Sequence, residues 1–143
     1  MNRKLVASFI TSCVVLATIT TAFAATPMGI AQSEASISGN LSTAGGEKHY
    51  VISSYGITRD ISSRVKSSDI KQIISFAIIT RNGKKVSSKT TEDSYVKSLK
   101  AKISNQEEYG KAIWEVAASG DVYYTDGTTD SGINYEEQEF NVK

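Results

Sequence analysis

His49 is the only histidine in the 143-residue chain, so any serine–histidine or metal–histidine arrangement has to be built around it. No Gly-x-Ser-x-Gly elbow, His-Glu-x-x-His pair or phosphate-cradling glycine loop accompanies it. These are the patterns that hold a nucleophile, a zinc ion or a phosphate in place. Without partners His49 reads as a surface or rim residue at the start of a strand. The acidic run Asp121, Asp126, Asp130, Glu136, Glu137 and Glu139 supplies the oxygen atoms that calcium prefers, but its spacing fits no EF-hand loop. Asp126-Gly127 and Asp130-Ser131-Gly132 are ordinary turn chemistry, and six acids in a short stretch contain a glycosidase-like pair by chance. No catalytic residue, metal ligand or cofactor-binding residue is therefore assigned, no cofactor is expected, and the chain is not read as an enzyme.

Recognition is the chemistry that remains. Trp114, between Ile113 and Val116, is placed as the core anchor of a small sandwich. The seven tyrosines are too many for one small core, and tyrosine supplies contact area at low entropic cost. Tyr123, Tyr124 and Tyr135 are the candidate binding surface. Adjacent Tyr123 and Tyr124 point to opposite faces if they share a strand, so one of the two is expected at the surface.

Residues 1–24 carry the three zones of an export signal. Arg3 and Lys4 precede an apolar run over residues 5–19, too short to span a bilayer, and Ala22-Phe23-Ala24 supplies the small residues of a cleavage site before Ala25. Secretion into the extracellular space is expected, with no membrane span left after cleavage. The rival reading is a lipoprotein acylated at Cys13, within Ile10-Thr11-Ser12-Cys13. Cys13 is the only cysteine, so the mature chain has neither disulfides nor thiolate chemistry and must be held by packing. Residues 25–36, which include the only proline, Pro27, read as a disordered leader, and residues 37–143 as one domain.

Without Arg3 and Lys4 the 16 basic residues become 14, against 15 acids, which leaves no global field for nucleic acid. The charge is uneven along the chain: bases crowd residues 58–102 and acids residues 121–139. The expectation is that the two segments lie close together in the fold and neutralise each other.

Serine, threonine, valine, isoleucine and tyrosine dominate the mature region, and turn signals recur, which predicts an all-β antiparallel sandwich of seven or eight strands. Asn82-Gly83 suits a type I′ turn pairing strands near 70–80 and 85–90. Leu99, Ala101 and Ile103 alternate with Ser98, Lys100, Lys102 and Ser104, as a strand with one wet face requires. Strands near 37–41 and 48–57 are separated by Ala44-Gly45-Gly46, with a continuation over 57–65. A hairpin is expected across Ser119-Gly120-Asp121, and Asp126-Gly127 turns the chain to a last strand near 135–142. The rival is a helix near 106–118, where Tyr109, Ala112, Ile113, Val116 and Ala117 have helical spacing. Gly110 argues against it, at about 1 kcal/mol relative to alanine. Ile70, Ile73, Ile74, Ala77 and Ile78 repeat the ambiguity.

Ile79-Thr80-Arg81-Asn82-Gly83-Lys84-Lys85-Val86, then Ile113-Trp114-Glu115-Val116 leading to Gly120 and Tyr123-Tyr124, behind the signal segment, resemble small secreted β-sandwich proteins of unknown function from Gram-positive bacteria. The resemblance covers residues 50–132. It implies an immunoglobulin-like sandwich without catalytic apparatus and brings no functional residues. A secreted bacterial module that binds an extracellular protein, glycan or surface is the leading expectation. The rival is an antimicrobial or inhibitor-like factor.

Overall fold

Alternation of apolar and polar residues, broken by glycine- and asparagine-bearing turns, builds seven strands. They are β1 (Ala31–Ser42), β2 (His49–Asp60), β3 (Ile70–Arg81), β4 (Lys84–Asp93), β5 (Ser98–Glu108), β6 (Lys111–Tyr124) and β7 (Thr129–Asn141). The computed structural model describes residues 25–143. The expected export segment and Cys13 lie outside the described residues.

All pairings are antiparallel, in a three-stranded sheet of order β1-β2-β5 and a four-stranded sheet of order β4-β3-β6-β7. The sheets stack into the expected sandwich. In the constant-type immunoglobulin arrangement the fourth strand joins the sheet of the first, second and fifth. Here β4 pairs with β3 instead, because the Asn82-Gly83 turn folds it straight back: both residues have positive φ, 48° and 76°, as a type I′ turn demands.

Several expectations need correction. β1 starts at Ala31, inside the segment read as a disordered leader, and buries Ser33 and Ala35. No helix forms over 106–118; among the described residues the helical elements are two three-residue turns, Ala44–Gly46 and Ser67–Asp69. Nor is there a hairpin at Ser119-Gly120-Asp121. β6 runs unbroken through it, and Gly120 is there because a side chain would collide with the Thr58 hydroxyl and the Ile74 carbonyl. A glycine inside a strand marks close approach here, not reversal.

The core has two apolar clusters. One gathers Trp114, Ile37, Ile52, Ile79, Ile103, Val116 and Phe140. The other holds Val65, Ile70, Ile73, Val122 and Tyr124. Between them lies a waist of hydroxyls. Ser33 Oγ donates to the Gly132 carbonyl at 2.9 Å, and Thr58 Oγ1 sits 3.2 Å from both Ser33 Oγ and Ser75 Oγ.

The acidic run closes one side of the sandwich. The Ala31 N–H donates to Asp130 Oδ2 at 2.8 Å and the Ile37 N–H to Glu136 Oε2 at 2.8 Å, so β7 carboxylates satisfy part of the edge of β1 that faces away from β2. An unpaired edge otherwise invites foreign strands. The expected neutralisation between the two charged segments does not occur. Among the described residues no ion pair joins a base of 58–102 to an acid of 121–139, and sheet order puts lysine-bearing β4 and acidic β7 at opposite edges.

Candidate binding face

Strand parity decides which side chains of the four-stranded sheet face away from the core. On β6 the inward set is Ala112, Trp114, Val116, Ala118, Gly120, Val122 and Tyr124, all buried. Ile113, Glu115, Ala117, Ser119, Asp121 and Tyr123 therefore point outward.

Register then assembles the outer face rung by rung across β4, β3, β6 and β7. Lys85, Thr80, Glu115 and Glu137 form one rung; Ser88, Ile78, Ala117 and Tyr135 the next; Thr90, Phe76, Ser119 and Ile133 the third; Glu92, Ile74, Asp121 and Ser131 the fourth. The middle rungs make an apolar band. Ile78 and Ala117 are buried within it under partly covered Phe76, whereas Ile133 and Tyr135 are 58% and 64% exposed. Carboxylates border the band on both sides.

Glu115 is the unusual group of this face. It is 8% exposed, accepts a hydrogen bond from Thr80 Oγ1 at 2.9 Å and lies directly opposite Glu137. Burial, reinforced by the Glu137 carboxylate, pushes its carboxyl above the usual carboxylate range. Among the described residues neither Glu115 nor Glu137 has a basic partner. Like charges opposite each other across a strand pair are destabilising, so the Glu115–Glu137 pair carries a cost that no ion pair among the described residues offsets.

The three candidate tyrosines separate. Tyr124 is 1% exposed and belongs to the core: its hydroxyl donates to Asp60 Oδ2 at 2.7 Å, and burial followed by the Asp60 carboxylate raises its pKa. It is withdrawn as a surface residue, because parity carries it inward with Val122. Tyr123 and Tyr135 do share the outer face. Tyr123 pairs three rungs away from Ala117, roughly 20 Å along the strand. The face is therefore centred on Tyr135, and sequence reading missed its companions Phe76, Ile78 and Ile133. Their signal was present: residues 73–79 are apolar on both strand faces except at Ser75, although one face has no layer above it.

His49 is neither a surface nor a rim residue. It is 4% exposed beneath Tyr109, with ring centroids 4.8 Å apart, and its Nδ1 lies 3.0 Å from the Glu47 carbonyl. The tyrosine that covers it comes from the β5–β6 turn, too distant in sequence to foresee. The acids weighed as calcium ligands are dispersed: Asp126 binds the Thr128 N–H and hydroxyl in its own turn, Asp121 the Ser131 hydroxyl, and Asp130 and Glu136 the edge of β1. Among the described residues no three of histidine, cysteine, aspartate and glutamate converge. A shallow, open depression beside the β5 bulge is lined by Lys102, Ile103, Ser104 and Asn105.

The outer face of the three-stranded sheet contrasts in charge. Its central strand presents Ile57 and Tyr55, flanked by Lys100 and Lys102 on β5, with the Lys100 ammonium 4.2 Å from the Tyr55 ring centre. Arg59, next along β2, is paired with Glu34.

No family model matches the chain, and neither a curated protein nor a solved structure matches it. Among the described residues no helix is long and apolar enough to cross a membrane.

Proposed function

We propose that the chain is a secreted, non-enzymatic bacterial binding module that engages an extracellular protein through the outer face of its four-stranded sheet. One observation carries this reading: β3 is apolar on both faces, and the outer one has no covering layer, with Ile133 and Tyr135 standing in solvent. Exposed apolar patches rimmed by polar groups mark interaction sites. A protein fits better than a glycan, because branched aliphatics such as Ile74 and Ile133 pack against apolar side chains, whereas sugars need stacked rings and hydrogen-bonding groups. Secretion rests on the pattern of residues 1–24.

The test is capture from the native culture with the chain from Ala25 onward, beside a variant carrying Ile133→Ser and Tyr135→Ser. The wild-type chain is expected to retain a partner that the double variant loses. Equal recovery by both would remove the assignment of this face. Intact mass of the exported product is expected to begin at Ala25. A lipid-modified mass beginning at Cys13 would replace release with anchoring.

A further inference from the structure

The two outer faces each carry an apolar pair on their central strand and differ in the charge of their borders. On the four-stranded sheet, Phe76 and Ile78 occupy consecutive outward positions of the central strand β3, bordered by Glu115 and Glu137 at one side and Glu92 and Asp121 at the other. On the three-stranded sheet, Tyr55 and Ile57 occupy consecutive outward positions of the central strand β2, bordered by Lys102 and Lys100 on β5 and by Ser36 and Glu34 on β1, where Glu34 is already paired with Arg59. Among the described residues neither lysine has an acidic partner, and neither Glu115 nor Glu137 is ion-paired, Lys85 standing two strands from Glu115 at the β4 end of that rung.

We infer that the occupant of the acidic face is a second copy of this chain, whose three-stranded sheet stacks with Tyr55, Ile57, Lys100 and Lys102 against Tyr135, Ile133, Phe76 and the Glu115–Glu137 rung. This rests on the reading of the four-stranded face as the binding face. Charge selects the pairing. Two acidic faces brought together would set the carboxylates of Glu92, Glu115, Asp121 and Glu137 against those of the other copy, and two lysine-bearing faces would repel likewise. Only the mixed contact brings Lys100 and Lys102 toward the Glu115–Glu137 pair, which has no ion-pair partner among the described residues, while apolar centres meet at the roughly 10 Å spacing of stacked sheets. Such a contact is heterologous: each copy offers one face and uses the other. The product is an open chain, not a closed dimer.

Sedimentation velocity of the chain from Ala25 onward tests this, with Glu137→Lys as one variant and Lys100→Glu with Lys102→Glu as the other. All three positions are exposed, and the thermal midpoint of each variant reports whether it is folded. At about 20 mM salt the wild-type chain is expected to sediment as species that lengthen with concentration. Its association is expected to weaken at least about tenfold in 0.5 M salt, where screening is severe. Each variant alone is expected to stay monomeric, and their equal mixture to form one-to-one dimers that do not lengthen, since each retains the face the other lacks.

Wild-type chain that stays monomeric at low salt and high concentration overturns the inference, as does association unchanged in both variants. If that monomer still captures a partner from culture in a Tyr135-dependent way, the binding face stands and its occupant is another protein. Loss of both results removes the face as well.

Discussion

Two acidic side chains, Glu108 on β5 and Glu115 on β6, lie on consecutive strands of different sheets, both nearly covered, and the fold treats them in opposite ways. Glu108 is wrapped in donors: Arg81 Nε at 2.6 Å, an Arg81 terminal nitrogen at 2.9 Å, the Trp114 indole N–H at 2.9 Å and the Gly110 N–H at 2.9 Å. The guanidinium holds its carboxyl down at about 2. Glu115 has one hydroxyl donor, a carboxylate opposite, and a raised pKa. The first site is complete and ties β3, β5 and β6 together around the core tryptophan. The second is incomplete, and it borders the exposed apolar band. Burial with full satisfaction stabilises the fold, whereas burial without a counter-charge leaves a cost that a cation brought to the site would lower.

The largest break in this contrast is Glu108→Ala, which strands Arg81, the Trp114 N–H and the Gly110 N–H; it is expected to cost about 3 kcal/mol at neutral pH in denaturant unfolding. The pH dependence has a fixed sign. Because the folded value of Glu108 lies below its usual 4.5, its contribution is complete above that value and is lost as pH falls toward about 2. Next is Tyr124→Phe, which leaves buried Asp60 short of a donor. Lys97 at 3.2 Å and the N–H groups of Ile30 and Ser62 remain, so about 2 kcal/mol is expected.

Glu115→Gln should act in the opposite direction. It keeps an acceptor for Thr80 and removes the like-charge pair, so about 0.5 kcal/mol of stabilisation is expected at pH 7. A raised folded value means the charged form bears the penalty, so the gain should fade as pH falls and Glu115 takes up its proton. Smallest of all, Ile133→Ser and Tyr135→Ser should leave stability within about 0.5 kcal/mol while abolishing capture. A large loss of stability there would make the band part of the core.

Local chemistry was legible in the sequence wherever a few adjacent residues sufficed. Asn82-Gly83, Ala44-Gly45-Gly46, Asp126-Gly127 and the alternation of 98–104 set four reversals or strands without help from distant residues. What failed depended on partners far along the chain. Gly120 reads as a turn until Thr58 of the facing sheet explains the missing side chain. That error cut β6 in two and hid the parity that sends Tyr124 inward with Val122. The helical spacing around 70–78 had another origin: β3 is apolar on both faces and bulges between Ile70 and Gln72, which blurs a period of two. The feature that made β3 ambiguous as a strand is the one that gives the molecule its uncovered apolar band.

The most direct test puts a photoreactive benzophenone side chain at Tyr135 and, in a second protein, at exposed Thr125 of the β6–β7 turn, and irradiates each in native culture. The account predicts covalent adducts, with a second copy or another protein, from position 135 well above those from position 125. Equal yields at the two positions would contradict it.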